Sequence, residues 1–538
     1  MRRGHAESVI GVAMLLASSA CGALAADHVT VGADNVASAG TAGLTSGFGG
    51  STGTSVGGTG FGGSAGPGGG AGGKAGAAST DAGGTAGTTL PAAGAAGRSV
   101  SPECVGATSI DGNMQVFAGS DTRGLVSNVS GDLTIYATTN GLTQLRCLET
   151  VGGSLDIKPG TDSLQAFGRL RAVAHDLTIE GNSTIVDLSA FRSLTLVGNS
   201  LAIQGNSALV ELTGLENLTE LYNLTISGNA RLRNLDALSH VTTRGGALAI
   251  VSNDSLVSVA GLHGLPKAYS LSIGRNPLLT DLSGLEGLSE ISSDIVVESN
   301  AALVSLAGLE GVKAAFGLGL TDNPKLQNVD ALAVSLTSLR TGEVRDCPAL
   351  SSLEGLRNIA SLDSLIVASV GLTTLNGLRN LEAIDELEIQ DVETTDLTGL
   401  GKARIAGTLS IGDNADLLTL VGLSPDIHDL ARLSITGNPK LRSLAGLEML
   451  RSLSESLDLE SNSGLSSLSG LENLLNIEAM SVIDHPALDN LAPLAGLKAI
   501  ASGATFRQNP RLSRCEIQQF VTSRGGSLAE LQDNGPCN

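Results

Sequence analysis

The chain has 538 residues and a formal net charge of −21, and only 16% of its residues are charged, against roughly 25% in an average soluble domain. With 42% hydrophobic residues there is material for a large core, but 8 Phe, 3 Tyr and no Trp make that core aliphatic and leave few stacking platforms for bases or sugars. A phosphate backbone needs clustered cations, so the balance argues against nucleic acid as a partner.

Arg2 and Arg3 precede an apolar run from Val9 to Ala20 and then small residues, the layout of a secretory leader. The run is too short to span a bilayer, which takes about 20 residues. Two exits compete: cleavage after Ala23-Leu24-Ala25 ends the leader at residue 25, whereas Ser18-Ser19-Ala20-Cys21 resembles a bacterial lipobox, ending it at residue 20 with lipid on Cys21. Residues 26–98 follow as a Gly, Ala, Ser and Thr tract with almost no charge, which cannot bury enough apolar surface to offset its ordering entropy. It is expected to be a disordered linker. The nucleophile-elbow and dinucleotide-like glycine patterns inside it lack a flanking strand and helix and are accidents of composition.

Past Arg98 a Leu-rich period sets in. The first residue of an L-x-I unit recurs at Leu133, Leu155, Leu177, Leu201, Leu224, Leu248, Leu271, Ile295 and Leu318. It continues at Gly342, Leu365, Leu387, Leu409, Leu433, Leu457, Met480 and Ala504, giving 17 turns of 22 to 24 residues. In the unit at Leu224, Leu224 and Ile226 alternate with Thr225, so a short strand points its aliphatic side chains inward. Gly228 turns the backbone, and Asn229 offers amide donors and an acceptor to the unpaired backbone of that corner. Asn recurs at this offset at Asn182, Asn206, Asn253, Asn276, Asn300, Asn323, Asn414, Asn438, Asn462 and Asn509, which predicts a buried asparagine ladder. No turn can bury its own aliphatic face, so the turns must stack.

Leu221-x-x-Leu224-x-Ile226-x-x-Asn229 resembles the leucine-rich repeat family, and the unit from Gly284 through Ile291 to Ile295 resembles its receptor L-domain variety. The resemblance covers about residues 110–520. It implies an α/β solenoid, a right-handed superhelix with one long parallel sheet, in a recognition protein exposed outside the cell. The expected layout is an N-terminal cap over 99–132, the solenoid over 133–510 and a C-terminal disulfide cap over 511–538.

A solenoid exposes core and strand edges at both ends, and the cysteines stand where caps are needed. Cys104 with Cys147 at the first turn, and Cys515 with Cys537 around the tail, are expected as disulfides of an oxidising compartment. Cys347 occupies a ladder position and reads as a buried structural thiol, and His485 falls at another. The other histidines show no metal-ligand spacing, so no metal and no cofactor is expected. The N-x-S/T sequons at Asn182 and Asn253 coincide with ladder residues and read as by-products of the repeat.

The outward strand positions are mostly small or polar, with Asp132, Asp156, Asp176, Glu180, Asp294, Glu298, Glu343, Glu386, Glu388, Asp458 and Glu460 against Lys158, Arg345, Arg432 and Arg507. This is an acidic face suited to cationic partners. One zone departs from the pattern: the turns at Gly342, Leu365 and Leu387 carry Cys347, Val370 and Val392 in place of the ladder Asn. Departures of this kind are where function is sought first, which makes Glu343, Arg345, Ile366, Glu386, Glu388 and Gln390 candidate binding residues. The leading reading is a non-enzymatic cell-surface recognition or adhesion protein, monomeric, binding a protein or surface glycan, with membrane contact only through the lipid on Cys21. The alternatives are a self-associating structural envelope protein, a freely secreted form, and an enzyme using the acidic residues of the irregular turns.

Overall fold

Each turn supplies a strand that can bury its aliphatic side only against the same strand of the turn before and after. In the computed structural model, which describes residues 101–118, 124–136 and 142–537, these strands stack in parallel in chain order. Register is kept position by position: Leu201 and Ile203 pair with Leu224 and Ile226, which pair with Leu248 and Ile250. The architecture is a leucine-rich repeat solenoid with one long parallel sheet. The leader over residues 1–25, Cys21 and the linker over residues 26–98 lie outside the described residues.

Seventeen strands stand at the L-x-I positions, and one more is added at each end, Met114–Val116 and Ser527–Gln532. Both lie in segments expected as caps. Met114 and Val116 are buried like the Leu and Ile of later turns. In Ser527–Gln532 a bulge separates Leu528 from Leu531, which pair with Ala504 and Phe506, so the inward residues are three apart and the period-2 signature is lost.

The flank entering each turn also forms strands. In the first half these are separate pieces such as Ala172–Val173, Leu196–Val197 and Glu220–Leu221, paired into a second parallel sheet. From Ser361–Val370 through Asn476–Ile483 the two flanks fuse into strands of eight to ten residues, including Ala383–Val392, Arg404–Gly412 and Asp429–Thr436. Most fused strands keep inward side chains three positions apart, as from Leu362 to Leu365, and in Arg404–Gly412 a register shift absorbs the extra residue.

The returns are 3-10 turns such as Asp236–Leu238 and Ala260–Leu262 rather than α-helices. The single α-helix among the described residues, Arg514–Thr522, lays Ile517, Phe520 and Val521 over the last turns. One aliphatic core runs from Met114 to Val521, with Phe167 and Phe191 stacked 5.4 Å apart inside it. Disulfides join Cys104 to Cys147 and Cys515 to Cys537, with Cα atoms 5.7 and 5.1 Å apart.

At the corner after most long-sheet strands, the ladder Asn side chains are fully buried and bonded from turn to turn. The Asn206 N–H donates to Asn229 Oδ1 at 3.0 Å, and Asn229 Nδ2 donates to the Ile203 carbonyl at 2.8 Å. The same pair of contacts recurs at Asn253, Asn276 and Asn300. The ladder ends on Asn534, whose Oδ1 accepts from the Asn509 N–H at 3.3 Å. The residue ahead of the ladder position is left-handed throughout, as Gly228 at φ +67° in an early turn and Asp322 or Asp413 at +54° and +53° later. Asp tolerates that conformation better than most side chains.

Candidate recognition surface

The outer face of the long sheet is a lattice fixed by register, with outward side chains of successive turns lying about 4.8 Å apart. Its four sequence-identified bases are all engaged. Lys158 meets Glu180 at 2.9 Å, Arg432 meets Glu455 at 3.1 Å and Arg507 meets Glu530 at 3.3 Å. The hydrogen bond to Glu180 also raises the Lys158 pKa above its ordinary value.

Arg345 is the fourth, and it gathers part of the central zone. Its Nε donates to Glu343 Oε1 at 2.7 Å, and its Nη2 lies 3.4 Å from Glu388 Oε1, two turns away. The turn between them carries Ala368 beside Arg345, small enough for the guanidinium to pass, and half-buried Ile366 between Glu343 and Glu388. Gln390 turns the other way, donating to Asp413 Oδ2 at 3.0 Å. Glu386 stands exposed between Ser364 and Thr408, outside this group. The structure thus brings Glu343, Arg345, Ile366 and Glu388 together, and much of the patch's charge is spent internally.

The missing ladder Asn residues of this zone leave no hole. Strands run to the corner itself, pairing Cys347 with Val370 and Val370 with Val392, and the Val392 N–H donates to Asn414 Oδ1 at 3.0 Å. Cys347 is fully buried, its Sγ 3.2 Å from the Arg345 carbonyl, and burial pushes its thiol pKa up, away from the reactive thiolate. His485 replaces Asn as a rung: Asn462 Nδ2 lies 3.3 Å from its Nε2, and its own N–H donates to Asn509 Oδ1 at 3.1 Å. Burial lowers its pKa to about 4, so the ring is neutral.

Two shallow grooves flank the sheet. One of about 430 Å³ follows the corner beside Asp322, Asp346, Asp391 and Glu393. Another of about 560 Å³ lies on the opposite flank between Arg404, Asp426, His428, Asp429 and Arg451. Among the described residues no three His, Cys, Asp or Glu side chains converge as metal ligands, and no helix is long and apolar enough to cross a membrane.

Reading composition alone misses where the few aromatics stand. Tyr222, Tyr269 and Phe316 are 42%, 56% and 39% exposed, each two residues ahead of a long-sheet Leu. Their equal spacing along the chain was the available signal. A second pair, exposed Phe117 and half-buried Tyr136, stacks at 4.8 Å on the first two turns.

No family model matches the chain, and no curated protein matches it. Among solved structures, an internalin of Listeria monocytogenes is 18% identical, with 68% of this chain and 88% of that chain covered and a TM-score of 0.34. A leucine-rich repeat protein of Bacteroides eggerthii is 10% identical over 75% of this chain and 70% of its own, with a TM-score of 0.39. The functional domain of InlJ from Listeria monocytogenes, which includes a cysteine ladder, is 14% identical over 69% and 71%, with a TM-score of 0.24. The repeat architecture is read from this chain's own turns, and none of these likenesses gives it a ligand.

Proposed function

We propose that this chain is a non-enzymatic recognition or adhesion protein that acts outside the cytoplasm through the exposed face of its solenoid. The observation that carries the reading is one uninterrupted parallel sheet whose outer face stays open to solvent along the whole body, closed at both ends by disulfides. Disulfides persist in oxidising compartments, which agrees with the leader-like sequence at residues 1–25. Catalysis requires positioned acid, base or nucleophile groups in an accessible pocket. Cys347 and His485, the nucleophilic and basic side chains held in the core, are both 0% exposed. In this reading residues 26–98 tether the body, Cys21 carries the anchoring lipid, and the partner is a protein or a surface glycan met by a monomeric solenoid.

Fractionation with palmitate labelling of the wild type and Cys21→Ala tests the anchor. Label and membrane association lost together in the variant are expected, and an unlabelled, freely released wild type overturns it. Saturable binding of the purified full chain to intact cells, competed by unlabelled chain, tests recognition. Ordered self-assembly with no saturable binding would replace it with a structural role.

A further inference from the structure

The exposed rings fall on one line. His175, Tyr222, Tyr269 and Phe316 stand two residues ahead of Leu177, Leu224, Leu271 and Leu318, and consecutive members are 47 residues, or two turns, apart. Backbone hydrogen bonds string the column together: Asn199 N–H to the His175 carbonyl, Tyr222 to Asn199, Tyr269 to Gly246, Ser293 to Tyr269, Phe316 to Ser293 and Arg340 to Phe316. With neighbouring strands about 4.8 Å apart, a ring recurs about every 9.6 Å.

The turns between the rings stay low. Gly246, between Tyr222 and Tyr269, has no room for a side chain, because a Cβ there would collide with the Tyr222 carbonyl oxygen. Ser293, between Tyr269 and Phe316, donates its hydroxyl to Asp294 Oδ2 at 2.8 Å. Asn199, between His175 and Tyr222, donates to Asp176 Oδ1 at 2.7 Å. Beyond Phe316 the column ends in Arg340, whose guanidinium lies 5.4 Å over the Phe316 ring and pairs with Asp363 at 2.6 Å. On the flank, Arg244 is held by Glu220 at 2.7 Å.

We propose that this column is a track for an extended, uncharged β-1,4-linked glycan, an inference that rests on the recognition function above and names its ligand class. A pyranose ring offers a flat C–H face to an aromatic ring. In an extended β-1,4 chain each sugar is turned over relative to the last, so one face returns in one orientation at every second sugar, a rise close to that of two solenoid turns. Alternate sugars stack on Tyr222, Tyr269 and the face of Phe316 that Arg340 leaves uncovered, and the sugars between them cross the low turns, their hydroxyls facing the fixed carboxylates and amides of Asp176, Asn199 and Asp294. The arginines beside the track are paired, and a chain of net charge −21 gives a polyanionic glycan no cationic strip. A proline helix has a similar repeat of about 9.3 Å per turn, but it docks in grooves walled by aromatic side chains. Among the described residues no second ring packs beside Tyr222, Tyr269 or Phe316.

Titration calorimetry of the full chain with cellohexaose, chitohexaose and, as control, maltohexaose tests this. One of the β-1,4 hexasaccharides is expected to bind more tightly than its tetrasaccharide and than maltohexaose. Tyr269→Ala should weaken binding roughly tenfold, the loss of one stacked ring, while Tyr269→Phe retains it. Tyr269 is more than half exposed, so a wild-type circular dichroism melt certifies the fold of each variant. Failure of both β-1,4 hexasaccharides to bind, or binding indifferent to Tyr269→Ala, overturns the track, as does a Pro-rich peptide bound in place of glycan and lost with Tyr269→Ala. If the glycans fail but saturable cell binding survives Tyr269→Ala, the track falls and the recognition function stands. A wild-type chain that binds neither the glycans nor cells removes both.

Discussion

Two stretches of the solenoid solve the same corner differently. From Asn182 to Asn323 every turn closes with a buried Asn whose amide serves the backbone of the turn before it, because the strands stop short and leave donors and acceptors without partners. At Cys347, Val370 and Val392 the strands run on to the corner, and strand pairing with apolar packing takes over. β-Branched Val favours extended backbone where Asn favours the turn, so the substitution and the longer strand belong together. The ladder is therefore a local answer to unpaired backbone groups, and longer strands are enough to account for the break in it.

The largest expected effect tests that claim on the ladder side. Asn229→Val orphans the Asn206 N–H and the Ile203 carbonyl in a dry core, which should cost about 4 kcal/mol at one to three per group, read from the urea midpoint. A loss under about 1 kcal/mol, within the range of ordinary surface substitutions, would break the comparison. Next comes the imidazole rung. His485 stays neutral in the fold with its pKa lowered to about 4, whereas in the unfolded chain it takes up a proton near 6.5. The contribution is whole above pH 6.5, is lost as pH falls towards 4, and amounts to about 3 kcal/mol. His485→Asn should flatten that slope in pH-dependent melts.

Val370→Asn buries an amide in a corner whose backbone strand pairing already serves, and should cost about 2 kcal/mol, less than Asn229→Val because it orphans no backbone group. A cost matching that of Asn229→Val would show that apolar packing there is as demanding as the amide chain. Smallest is Arg345→Ala, which removes partly exposed ion pairs to Glu343 and Glu388 and should cost under about 1 kcal/mol in thermal melts. Glu386→Ala with Glu388→Ala is expected to leave the melt nearly unchanged while weakening any partner that uses the central face, measured as saturable cell binding.

The repeat was legible because stacking makes every turn meet the same demand: inward Leu224 and Ile226, a turn at Gly228 and an amide at Asn229 have counterparts along most of the chain. The end strands escaped because edge turns meet different demands. Met114–Val116 lacks Leu and Ile, and the bulge in Ser527–Gln532 shifts its inward residues off the alternating pattern. The central zone was visible as a departure, but whether a departure is a site or a repair depends on strand length, which pairing decides rather than residue type. The aromatic column is invisible to a count of rings, whereas register places Tyr222, Tyr269 and Phe316 in line.

The disulfides at the two ends also fix how the coil answers to tension. A pull on the chain ahead of Cys104 passes directly through the cystine to Cys147, so the first turns inside that 43-residue loop cannot pay out length. A pull at the other end crosses from Cys537 to Cys515 in the same way. The outermost coils are mechanically short-circuited, and extension must begin at an interior turn gripped by neighbours on both sides, which makes the body stiffest where an open spiral would fray first.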